Sequence, residues 1–73
     1  MDYAPLDKAA YTTLFSPYAL TLIRGFYYTV GLSERHGEVR NFAVDRIAGL
    51  TLLPMRFRRP ADFSPAAYFA HSF

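Results

Sequence analysis

The chain has 73 residues, 52% of them hydrophobic, with no cysteine and a net charge of +2. At this size it is one domain at most and buries only about 60% of its unfolded surface, so its stability leans on core packing, a partner chain or neighbouring domains. The missing cysteines exclude disulfides and thiolate zinc sites, and the apolar runs fall far short of the roughly 20 residues of a membrane-spanning helix. A reducing, cytoplasmic compartment is the default expectation. Seven of the eight basic residues are arginine. Its planar fork suits phosphate, carboxylate and base edges better than the point charge of lysine, although a GC-rich coding bias explains the count equally well. Seven Phe and six Tyr are enough for a core and place some rings at the surface or in an interface.

In Asp2 to Tyr11, Pro5 stands where a first helical turn tolerates it, and Leu6, Ala9 and Ala10 follow on one face. The pattern predicts a short N-terminal helix that must pack to persist. Thr12 to Phe15 leans toward strand, and Pro17 confines its position to an edge, a bend or a strand start. Tyr18 to Ile23 reads as a strand, Arg24-Gly25 as a turn and Phe26 to Leu32 as the returning strand of a hairpin. On that second strand Phe26, Tyr28 and Val30 share one face, and Tyr27, Thr29 and Gly31 the other.

Ser33 to Gly37 is a polar connection, and Glu38 to Val44 is the next strand, with Arg40 beside Phe42 on one face. Asp45-Arg46 reads as a sharp bend. Ile47 to Leu53 is the following strand, in which Gly49 marks a bulge, a bend or a close backbone approach. Beyond Pro54, Ser64 as N-cap with Pro65 at the first helical position predicts a helix over Pro65 to His71. The expected architecture is mainly β: a small, partly open barrel of the SH3 or Sm kind with a short helix at each end. Its parts are a lead-in over residues 1–16, a β core over 17–53 and a linker with a short helix over 54–73.

Signals for catalysis are weak. His36 and His71 stand 35 residues apart without cysteine or paired carboxylates, and nothing requires Glu34 and Asp45 to meet. No nucleotide-binding or nucleophile motif is present, so no enzyme activity, metal or cofactor is expected. Arg24, Arg35, Arg40 and Arg46 interleave with Tyr27, Tyr28 and Phe42, the mixture that single-stranded nucleic acid uses for phosphate contacts and base stacking. The pattern alone favours the other reading, in which the rings are core and the arginines are solvated or paired with Glu34, Glu38 and Asp45. Arg56, Arg58 and Arg59 form the densest positive run, read as a solvated linker in preference to a phosphate clamp.

The segments PYAL at Pro17 to Leu20, RGFYYTVG at Arg24 to Gly31, RNFAVDRI at Arg40 to Ile47 and RFRRPADFSPAAYFAHSF at Arg56 to Phe73 resemble a WYL domain. The DRI run and the F-x-x-P-x-D-F tail are the most specific pieces. The name-giving triplet matches Tyr27, Tyr28 and Thr29, of which only the middle residue is kept. The resemblance implies a five-stranded Sm-like barrel, the ligand-sensing module of bacterial helix-turn-helix transcriptional regulators. It also implies that Tyr28, Arg40 and Arg46 contact the ligand, with Arg24 and Arg35 as weaker neighbours. The implied partners are a single-stranded nucleic acid or a small anionic effector, and a second copy of the chain. No membrane partner is expected, and operator DNA is expected only through a helix-turn-helix that does not precede this segment. The family's first barrel strand has no clear counterpart; only Tyr11 to Phe15 stands near it, which leaves an edge open for a symmetric partner. A competing reading is an assembly module without a ligand.

Overall fold

A computed structural model describes residues 1–54 and 56–72, the side chains of His71 and Ser72 excepted. It has six strands, β1 (Asp2–Tyr3), β2 (Tyr11–Thr12), β3 (Phe15–Ile23), β4 (Phe26–Ser33), β5 (Glu38–Ala43) and β6 (Ile47–Gly49), followed by helix α1 (Pro65–Ser72). They form two antiparallel sheets, β2-β1-β6 and β3-β4-β5, which do not close into a barrel. The fold is mainly β and partly open, as the patterning predicts.

The central hairpin follows its turn chemistry. Arg24 and Gly25 both have positive φ, 52° and 85°, and Ile23 faces Phe26 across the loop. This is a two-residue connection whose twist matches the strands. Pro17 lacks an N–H, and it lies on β3, an edge strand, where the register shifts between Pro17 and Ala19. Both positions tolerate the missing donor. Gly31, opposite Pro17, is buried. A Cβ there would run into the Ser16 carbonyl oxygen and lie 2.8 Å from Pro17 Cα.

Three expectations are corrected. The N-terminal helix does not form, because Tyr3 is needed elsewhere. Its ring is buried edge-on to Phe42 at 4.8 Å, and its Oη accepts the Ala43 N–H at 3.0 Å. The surrounding backbone therefore runs as strand, and a ten-residue helix has little stability of its own to set against this packing. Val44 leaves the strand for a 3-10 turn, Val44–Arg46, which is the bend expected at Asp45-Arg46. The strand expected over Ile47 to Leu53 stops at Gly49, which closely approaches Asp2. Leu50 and Leu52 beyond it are 73% and 99% exposed.

The core between the sheets is aromatic, with Phe15 edge-on to Phe42 at 5.1 Å and Tyr3 tilted against Tyr11 at 5.9 Å. A second group joins the C-terminal segment to β3, where Tyr18 meets Phe57 at 6.2 Å and Phe63 at 5.2 Å. The α1 start is as expected, Ser64 Oγ accepting the Ala67 N–H at 3.2 Å. No helix among the described residues is long and apolar enough to cross a membrane.

Candidate functional site

Cross-strand register decides which candidate residues meet. Tyr28 pairs with Ala43 and Gly31 pairs with Arg40. Paired residues share a face, and positions three apart on a strand point to opposite faces. The Tyr28 ring and the Arg40 guanidinium therefore project from opposite sides of the sheet, and the five residues do not converge on one site.

Tyr28 and Arg24 lie near the β3–β4 turn, where they line a hollow of about 330 Å³ with Ile23 and Phe26. Arg46 is half-buried in the last turn of the 3-10 segment, where its carbonyl accepts the Ala4 N–H at 3.0 Å. Its side chain forms no ion pair with Asp45, and Arg40–Glu38 is the ion pair found among the described residues. In the linker run, Arg59 lies over the Phe63 ring at 5.3 Å while Arg56 and Arg58 are exposed.

Arg35 and Arg40 come together at the other end of the sheet. The β4–β5 turn folds tightly, with the His36 and Gly37 N–H groups both donating to the Ser33 carbonyl at 3.2 and 2.9 Å. This brings the His36 imidazole back over the face that carries Phe42 and Arg40. There His36 stands edge-on to Tyr11 at 5.5 Å and beside Phe42 at 6.3 Å. Arg35 lies over the Tyr11 ring at 4.7 Å. Arg40 Nε donates to Glu38 Oε1 at 2.6 Å on the solvent side. Beneath the turn, His36 Nδ1 is 2.8 Å from Ser33 Oγ, Ser33 Oγ is 3.2 Å from Thr13 Oγ1, and Thr13 Oγ1 also accepts the Arg35 N–H at 3.1 Å.

The electrostatics report the same convergence. Partial burial, and then the positive charges of Arg40 and Arg35, hold the His36 pKa below the ordinary imidazole value, with Lys8 adding to them and Glu38 opposing. Burial and the neighbouring Tyr3 raise the Tyr11 phenol above its usual value, while Arg35 and Arg40 pull it down. Tyr11 is thus a neutral hydroxyl at physiological pH. Two arginines, two rings and one competing carboxylate make a surface suited to an anion that also presents a planar group.

Of this group, the sequence names Arg40 and Arg35 as candidates and misses Tyr11 and His36. Local spacing hints only at Ser33–His36, three apart within a turn. Tyr11 reaches the site through the β1–β2 sheet, which local patterning reads as helix. No group of three or more His, Cys, Asp or Glu among the described residues can hold a metal ion, and the side chain of His71 lies outside them.

Comparison with known proteins gives one match. A family model described as WYL domain matches residues 1–52. No curated protein and no solved structure matches the chain. The match begins ahead of the Pro17 start of the resemblance read from the motifs, taking in β1 and β2, and it ends before the Arg56-to-Phe73 tail. Since it spans well over half of the sequence, the chain belongs to the WYL domain family.

Proposed function

We propose that this regulatory domain of a transcription regulator senses a nucleic-acid-derived or other negatively charged effector through the surface formed by Arg35 and Arg40 around Tyr11 and His36. The observation that carries this reading is Arg35 lying over Tyr11, itself edge-on to His36, on the sheet face that Arg40 shares with Phe42. Arg40 holds a phosphate or carboxylate of the ligand by displacing Glu38, and the outer face of the Arg35 guanidinium takes a planar base. Tyr28 projects from the opposite face of the sheet and lies with Arg24 at the β3–β4 turn, outside this surface. No catalysis is assigned to the domain, and the family to which it belongs is regulatory.

Titration of short labelled single-stranded DNA and RNA at two salt concentrations tests the reading. Binding is expected at low salt and weakens as salt rises, because phosphate contacts release counterions. Arg40→Ala is expected to weaken it roughly tenfold and to lower the salt slope by about one. Undetectable binding at low salt, or affinity unchanged in both Arg35→Ala and Arg40→Ala, removes the proposal. A second reading, assembly with another copy of the chain, is favoured by the exposed Leu20, Leu22, Phe26 and Tyr27 on the β3–β4 hairpin.

A further inference from the structure

The hydroxyl chain beneath the β4–β5 turn has a direction. Thr13 Oγ1 donates its single proton to the Leu14 carbonyl at 3.0 Å. The Ser33 hydroxyl must then donate to Thr13 Oγ1, and Ser33 Oγ is left to accept from His36. Neutral His36 therefore carries its proton on Nδ1, which leaves Nε2 as a bare acceptor with no hydrogen-bond partner among the described residues. A second proton at Nε2 changes nothing in the buried chain. It only turns an acceptor into a charged donor on the side of the ring away from Ser33.

The charged and titratable groups acting on this imidazole are Arg40 and Glu38 from β5, Arg35 from its own turn, Lys8 from the β1–β2 connection and the phenol of Tyr11 from β2. Three of them are cations. Without a ligand they resist a fourth positive charge; an anion seated among them removes the resistance and gives Nε2–H an acceptor.

We propose that His36 is a ligand-contacting residue whose Nε2, once protonated, donates to an oxyanion held by Arg35 and Arg40, so that effector binding and proton uptake by the domain are linked. This rests on the anion-site reading above and adds to it a protonation step at His36. The ligand class is a fully ionised oxyanion, such as a phosphodiester or sulfate group, that offers acceptors only. The reciprocity is thermodynamic: if protonation of His36 tightens binding, binding raises the affinity of His36 for its proton by the same factor.

The test uses sulfate, which keeps its charge over the range in which an imidazole titrates. Ring-proton NMR of the 73-residue chain follows His36 from about pH 8 to about pH 5.5 in sodium sulfate and in sodium chloride of matched ionic strength, with the His36→Gln variant assigning its signals. The expected result is a His36 midpoint that is higher in sulfate than in chloride. Sulfate affinity should also rise roughly tenfold over the same window, the scale of one added charge-assisted hydrogen bond. In His36→Gln the pH dependence of sulfate affinity between about pH 8 and about pH 5.5 is expected to disappear. Sulfate that perturbs the Arg35 and Arg40 side-chain signals but leaves the His36 midpoint unmoved overturns the linkage and leaves the anion site standing. Sulfate that perturbs none of the three at any pH overturns both.

Discussion

Glu38 and Arg40 show how a single side chain sets the resting state of the site. In their ion pair the Arg40 side chain is 47% and the Glu38 side chain 56% exposed, and a pair of that kind is worth about 0.2–1 kcal/mol. An incoming phosphate faces a competitor that is weak but always present. Glu38→Gln is therefore expected to strengthen oligonucleotide binding about two- to fivefold while leaving stability within about 0.5 kcal/mol of the parent, read by fluorescence anisotropy and urea unfolding. Weaker binding would mean instead that Glu38 orients Arg40 for its ligand. Tyr3 is a different case, since its hydroxyl accepts the Ala43 N–H at 3.0 Å within the junction of the two sheets. Tyr3→Phe leaves that donor without its partner and is expected to lower stability by about 1–3 kcal/mol in urea. The depressed pKa of His36 carries its own pH dependence. Between its folded value and the ordinary imidazole value the unfolded chain binds more protons than the folded one, so stability rises with pH across that window and is lost as pH falls through the folded value. In chloride, the urea midpoint of the parent should fall more on acidification below neutrality than that of His36→Gln; equal falls would remove His36 from the account.

Among the elements, the β3–β4 pair shows what close backbone approach requires. Gly31 sits against the Ser16 carbonyl and 2.8 Å, measured from a notional Cβ, from Pro17 Cα, all of it backbone that cannot swing aside. Gly31→Ala is expected to lose about 2–3 kcal/mol, the upper range for overpacking a filled interior. Gly25→Ala meets no atom within 4 Å and costs only the left-handed backbone penalty of about 1–2 kcal/mol. Urea unfolding ranks the two, and a Gly25 variant that is the less stable one would show that β3 yields at its register shift. This hairpin is the most legible part of the sequence, because Arg24-Gly25 and the residues beside it encode turn and strand locally. The N-terminal strand is not legible in that way, since Tyr3 takes its conformation from Phe42 and Ala43, some forty residues away. Leu50 to Leu53 fails in the opposite sense. Its residue types suit a strand, but no backbone partner faces it among the described residues, and residue type alone does not hold a strand. The site divides along the same line: Arg40 is reached through the RNFAVDRI motif, whereas Tyr11 and His36 become neighbours only when β2 and the β4–β5 turn are in place.

At the scale of the molecule, two sheets that do not close leave β3, β5, β2 and β6 each with one strand partner. Thr29 pairs with both Leu20 and Phe42, which puts Leu20 on the face that carries the aromatic core. Leu22 and Tyr27 are paired on the same face farther toward the hairpin tip. The N-terminal sheet covers the Phe42 end of this face and leaves Leu20, Leu22 and Tyr27 at 64%, 57% and 54% exposure. A half-bare apolar face beside the unpaired edge of β3 has the composition of a contact surface, and each leucine fully withdrawn from water contributes about 1.5–3 kcal/mol at most. Self-association through this hairpin predicts a dimer or higher species by light scattering at high protein concentration, which Leu22→Lys shifts toward monomer by placing a charge in the contact. The anion site lies at the opposite end of the sheet, so oligonucleotide affinity per chain should be unchanged in the same variant. A monodisperse monomer at high concentration would remove the assembly reading without touching the anion site. Loss of affinity together with association in Leu22→Lys would mean that the ligand surface is built from two copies, and that the Arg35–Arg40 cluster alone is only half of it.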